Sequence, residues 1–303
     1  VFQGAKPHSS RSHLTVVQRG HDRWPPDQCP MLPGLSSPTI HASLDMERPM
    51  PSFRLPTWLA ACVVVLTLAI SINLRDLAAW LGAPIPKLPI PYGGAILDNG
   101  LGVMLVLLVA ALLVRPGQRL SALLGLRWNG WQGPALALLA TLPCWLGLWW
   151  LGGFNPTQDV LALLMLGVLF PLAEEIIFRG FGFIFAHRQQ RWPWLAAALV
   201  QAVIFGAIHW WSFGGGGSMA LQVFAITGIG GLVFAWLNTL DDYTLWSGLA
   251  LHVSLNLAWN VFVITEATAV GWPATVLRLS AAGLAVALVW AWHRRRPRSL
   301  TSA

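Results

Sequence analysis

Hydrophobic residues run almost unbroken over 57 to 74, 97 to 114, 131 to 152, 158 to 186, 193 to 213, 218 to 239, 243 to 264 and 274 to 292, separated by short polar or proline- and glycine-rich breaks. About 20 apolar residues at 1.5 Å each cross a hydrocarbon core, so each run is read as a membrane-spanning helix. The predicted fold class is all-α, a polytopic bundle of about eight transmembrane helices, with a transmembrane domain over 56–293. The fourth run is long enough to tilt or to protrude beyond the membrane. Residues 78 to 93, "LAAWLGAPIPKLPIPY", are too interrupted by proline to span. "GGGGS" at 214 to 218 is read as a flexible turn between the fifth and sixth spans. Residues 1–55, rich in Pro, Ser and His and without apolar periodicity, are read as disordered or as an upstream extension, with Met46 as the true start.

Composition agrees with the pattern. The chain has 303 residues, 55% hydrophobic and 10% charged, whereas soluble domains are about a quarter charged. Its net charge of +7 does not read as a nucleic-acid surface, because the basic residues mark loops and ends. Arg115, Arg119 and Arg127 follow the second span, Arg188 and Arg191 the fourth, and a basic tail at 294–303 follows the eighth. The loops after the third and fifth spans contain no Lys or Arg, and the loop after the seventh carries only Glu266. The positive-inside rule then puts both termini in the cytoplasm. Trp58, Trp131, Trp192, Trp194, Trp272, Trp290 and Trp292 fall near span ends, where interfacial anchors belong. Three widely spaced cysteines imply neither a disulfide framework nor a Cys-based zinc site. No internal repeat points to an inverted-repeat transporter.

Few strongly polar side chains are read as lying well inside the spans: Glu174, Glu175, Arg179, His209, His252 and Asn256, with Gln201, Gln222 and Asn260 as lesser cases. Ionisable groups inside a membrane are costly and mark functional sites. Counted from the cytoplasmic ends, Glu174 lies at about 18 Å, His209 at about 24 Å, His252 at about 15 Å and Asn256 at about 21 Å, so three spans bring them to similar depth. Glu175 and Arg179 are four residues apart and can pair on one helix face. Glu174, about 100° round the helix, is left as the carboxylate facing a cavity. A dry carboxylate is a competent base for water, an Asn can donate to an oxyanion, and imidazoles can orient water or ligate a metal. No hydroxyl or thiol nucleophile occupies a comparable position, which favours attack by water. The histidines His187 and His293, beside basic clusters, are read as interfacial, and "HWW" at 209 to 211 as either a cavity wall or an anchor.

"EEIIFRG", "FGAIH" and "HVSLN" stand where EExxxR, FxxxH and HxxxN motifs stand in the CAAX protease and bacteriocin-processing (CPBP, or Abi) family, which the chain resembles over about 97–264. That family includes the type II CAAX prenyl proteases. The resemblance implies an eight-helix bundle that hydrolyses peptide bonds within the membrane, acting on a peptide or protein with an apolar or lipidated segment, among membrane lipids and without nucleic acid. It implies Glu174 as the water-activating base, His209 as the group holding that water, His252 and Asn256 as oxyanion stabilisers, and Glu175 with Arg179 as support. Zinc is a possible cofactor, with Glu174, His209 and His252 as candidate ligands, although the constellation can also work without metal. The family name also covers non-proteolytic scaffolds and bacteriocin self-immunity proteins, which stand as the alternative function. Other intramembrane proteases fit poorly, since the chain has no HExxH, no GxSG at Ser218 and no GxGD aspartyl motif.

Overall fold

The computed structural model describes residues 55–115, 117–265 and 271–295. The extension read over 1–55 with its start at Met46 lies outside them except for Leu55, as do Glu266 and the tail from 296 onward. The described residues are helical, with one isolated bridge between Phe154 and Phe262.

The helices are α1 (Thr57–Ser71), α2 (Leu74–Trp80), α3 (Gly93–Leu113), α4 (Leu120–Leu123), α5 (Gln132–Ala140), α6 (Leu142–Gly152), α7 (Val160–Arg188), α8 (Trp194–Ser212), α9 (Gly217–Leu240), α10 (Trp246–Val261) and α11 (Trp272–Arg295). Six segments among the described residues are long and apolar enough to cross a membrane: α3, α5 with α6, α7, α8, α9 and α11. The first and seventh of the eight expected spans fall short. The first is broken, because α1 and α2 meet at 88°, and a seventh crossing exists only if that bent pair counts as one. The other is realised as α10, whose 16 residues make about 24 Å of helix, less than a bilayer core.

Local sequence accounts for the breaks. Pro143 opens α6 and cannot donate to the carbonyl a turn earlier, so the third span is interrupted at Thr141. The Thr141 hydroxyl donates to Leu138 O at 2.7 Å and shares a 2.7 Å hydrogen bond with Ser254 of α10. Gly153 ends α6 at φ 67°, and Gly214, Gly215 and Gly217 reverse the chain between α8 and α9 at φ 89°, 66° and 76°, a region other residues avoid.

The main core forms around α7. Ile177, Phe178, Phe181, Phe183, Ile184 and Phe185 are fully buried against Val64 and Leu68 of α1, Val106 and Ala110 of α3, and Ala197 and Ala198 of α8. Two stretches of α7, Met165–Leu169 and Glu175–Phe185, are wound as π-helix, a form that recurs at functional sites. The α8 and α9 helices pack closely enough that a Cβ on Gly206 would meet Phe224 O at 2.9 Å.

At the end of the bundle away from the glycine turn, Asp241 is buried and knits three elements together. It accepts from Ser247 of α10, from Asn129 Nδ2 at 2.7 Å and from Thr244 Oγ1 at 3.1 Å, and faces His293 Nε2 of α11 at 3.6 Å. His293, expected at the interface, is thus paired with an acid. His187 donates from Nδ1 to Trp192 O at 2.8 Å and stacks between Phe183 and Tyr243. Gln201 donates to Ala198 O and Gly231 O, a packing role between α8 and α9.

Candidate active site

The two consecutive acids of α7 stand where α-helix gives way to π-helix, Glu174 ending one stretch and Glu175 opening the other. Glu175 turns into packed protein, where it and Arg179 have no solvent exposure and lie 3.6 Å apart. That is an ionic contact, longer than a hydrogen bond, and the Arg179 guanidinium nitrogens make no hydrogen bond among the described residues. The cation rests instead between two aromatic faces, 4.2 Å from the Phe205 centroid and 4.8 Å from that of Phe234, where ring quadrupoles replace part of its lost hydration. Gly248 of α10 makes room at this point. A Cβ there would lie 2.6 Å from Asn238 Oδ1 and 3.5 Å from Glu175 Oε2.

Glu174 turns the other way, onto an open-mouthed cavity of about 590 Å³ lined by α7, α8, α9, α10 and α11. This is the size of small-molecule sites, about 300–1,000 Å³. His209, His252 and Asn256 line the same cavity, whose remaining wall is mainly apolar, including Phe205, Val233 and Leu255. Of "HWW", only His209 belongs to the wall; Trp211 is 73% exposed on the outside.

The two imidazoles are held by their Nδ1 atoms. His209 Nδ1 lies 2.8 Å from the Phe205 carbonyl, which only accepts, so Nδ1 carries the proton and Nε2 is the acceptor nitrogen. His252 Nδ1 donates to Glu175 Oε1 at 2.9 Å, and its Nε2 lies 3.7 Å from Glu174 Oε2. The His252 ring also stacks on Phe234 at 5.3 Å. His252 therefore bridges the two glutamates, one by hydrogen bond and one by proximity. The Asn256 amide donates to Leu166 O at 3.2 Å, a carbonyl in the first π stretch of α7, and its second N–H is left for another acceptor. Asn260, one turn on, donates to Asn256 O at 2.7 Å.

The six residues singled out in the sequence thus divide into two layers. Glu174, His209, His252 and Asn256 share the cavity; Glu175 and Arg179 lie behind it, reached through His252 Nδ1. A zinc site would want three protein ligands and a water. Among the described residues no three His, Cys, Asp or Glu side chains converge closely enough to hold a metal ion. The geometry therefore does not fit a Glu174, His209 and His252 ligand set.

One wall residue escaped the sequence reading. Arg278 of α11 lies on the cavity, with its guanidinium 4.3 Å from the Trp259 centroid and its Nε 3.4 Å from Ala274 O. It was hidden by the strongly apolar run around it. The signal was available, since one arginine six residues inside a span is exceptional by itself.

The segment that carries these motifs can be compared with known families. Residues 156–258 match the Rce1-like family, described as type II CAAX prenyl endopeptidase. The Rce1-like segment runs from just before α7 to near the end of α10, narrower than the 97–264 of the motif resemblance, and holds all six motif residues while ending before Arg278. Over this segment the chain is similar to the CAAX-type intramembrane proteases, in keeping with its apolar helices. No curated protein and no solved structure matches the chain.

Proposed function

We propose that the chain is a membrane-embedded endopeptidase in which Glu174 activates water against a peptide bond of an apolar or lipid-anchored substrate. The observation that carries this reading is the meeting of Glu174, His209, His252 and Asn256 on one largely apolar cavity. Water held by the acceptor Nε2 of His209 gives a proton to the Glu174 carboxylate and adds to the carbonyl carbon. The resulting oxyanion accepts from the second N–H of Asn256 and from His252 Nε2 when that nitrogen is protonated. Collapse breaks the C–N bond, and the proton on Glu174 passes to the departing amine. No step needs a metal ion. Glu175 and Arg179 are positioning residues, acting through His252 Nδ1.

The bundle over 56–293 is the catalytic domain in this reading, integral to the membrane (the plasma or inner membrane if the source is bacterial), with both termini on the cytoplasmic side by the positive-inside rule. The test is cleavage of a broad set of membrane peptides by purified protein. Glu174→Gln should lower turnover by about 10²–10⁴-fold while leaving the elution profile and thermal unfolding unchanged. Activity retained in that variant would overturn the role of Glu174.

A further inference from the structure

Gly228, Gly230 and Gly231 fall close together inside α9. A glycine in a helix interior costs stability relative to alanine, so each calls for a reason. Two of them face α8. A Cβ on Gly231 would crowd Ala202 Cα at 3.0 Å, and one on Gly228 would lie 3.6 Å from the Ala202 carbonyl oxygen. Gly230 lies instead on the cavity, the one glycine among its described lining residues. A Cβ there would meet the ring edge of Phe234 at 3.9 Å and nothing nearer. Helix packing therefore gives no reason for this glycine, and what it provides is room in the cavity wall. The depth of that room follows from its neighbours. The Phe234 ring stacks on His252 at 5.3 Å. By chain direction, the start of α9 and the end of α10 lie at the same face of the bundle. One turn toward that face from the Phe234–His252 layer stand Gly230 on α9 and Asn256 on α10, each displaced by about 6 Å. Gly230 is thus level with the amide assigned above to the oxyanion. A substrate whose carbonyl reaches Asn256 brings a flanking side chain to this recess. Phe205 and Trp259 line the same cavity as the Phe234 edge, and an aromatic ring meets such a wall edge to face, gaining more than its buried area alone.

We propose that Gly230 forms the floor of a side-chain subsite in this cavity, and that the subsite takes an aromatic side chain flanking the scissile bond. The missing Cβ sets the size limit, since any side chain at 230 would occupy the space the ring needs. This rests on the protease reading and adds to it a selectivity by the bulk and flatness of one substrate residue.

The test uses dansylated apolar membrane peptides that carry Phe, Leu or Ala at each of two adjacent positions. Cleavage between those positions is measured on wild type, and binding on the full chain carrying Glu174→Gln. At one of the two positions kcat/KM should fall in the order Phe, Leu, Ala, with Phe over Ala by roughly 10- to 100-fold, and binding should follow the same order. Gly230→Ala should cut the Phe preference roughly tenfold without lowering the unfolding temperature, and Gly230→Leu should bring Phe below Ala. Gly231→Ala, which crowds Ala202, should lower the unfolding temperature and leave the Phe-to-Ala ratio as in wild type. If Gly230→Leu does not fold, the ratio in Gly230→Ala decides. Equal treatment of Phe and Ala at both positions, Leu preferred over Phe, or a Phe preference that survives the Gly230 variants overturns the assignment. The two readings fail separately. A Phe preference in binding that Gly230→Leu abolishes, with no cleavage by wild type, removes the protease and keeps the subsite. Glu174-dependent cleavage indifferent to both flanking side chains removes the subsite alone.

Discussion

Replacing Glu175 by Gln keeps the side chain's shape and removes its charge, leaving Arg179 buried without its acid. Breaking a buried ion pair from one side typically costs 3–5 kcal/mol. The lower end applies here, because the 3.6 Å contact is not a hydrogen bond and two aromatic rings continue to hold the cation. We expect Glu175→Gln to cost about 3 kcal/mol. Arg179→Met should cost less, about 2 kcal/mol, since Glu175 keeps the His252 hydrogen bond at 2.9 Å. The double variant removes both charges and should cost about 3 kcal/mol where simple addition gives about 5, a coupling near 2 kcal/mol. Unfolding in mixed micelles titrated with a denaturing detergent reads these differences. Additivity within about 0.5 kcal/mol would refute the pair as an interacting unit.

Gly248→Ala places a methyl group 2.6 Å from Asn238 Oδ1 and should cost about 1–3 kcal/mol by overpacking, which the same titration measures; Asn238→Ala in the same chain should recover part of it. Chelation by dialysis against phenanthroline, followed by elemental analysis, should leave cleavage unchanged, because no three ligands converge among the described residues; activity lost with zinc and regained on its return would reverse this. For His252, Asn mimics the Nδ1 donor and Gln the Nε2 position. His252→Asn should therefore retain most stability and lose turnover, while His252→Gln should lose both, and a fully active His252→Asn would remove Nε2 from the chemistry.

Much of this was legible in the sequence because burial in a bilayer forces a simple code. Apolar runs become helices, and each of the eight runs contains helical structure. The code says less about length and continuity. The 88° bend after Ser71 and the 16-residue length of α10 are not read from hydrophobicity. The resemblance rested on three motifs, and the family match covers the segment that bears them. What the spacing did not reveal was the winding of α7. A ladder of 3.6 residues per turn describes Glu175 and Arg179 well enough, but it does not anticipate two π stretches, the first of which holds the Leu166 carbonyl that Asn256 meets. Arg278 was missed for the opposite reason: averaging over an apolar window hides a single charge.

The paired acids of "PLAEEIIFRG" make sense once α7 is seen to have two different neighbours. One face is pressed against aromatic side chains of α8 and α9, where a lone arginine would be intolerable and a lone glutamate equally so; together, with Phe205 and Phe234 at 4.2 and 4.8 Å, they are held. That fixed carboxylate then fixes something else, since it takes the His252 Nδ1 proton and so aims Nε2 at the next residue's carboxylate, 3.7 Å away. Glu174 has no arginine of its own within the pair, and it borders the cavity. In the mechanism proposed above, Glu174 serves as the base and Glu175 as the fixed partner of His252. Adjacent residues on a helix point in different directions, so two consecutive glutamates supply one of each kind, and a single acid at either position would supply only one.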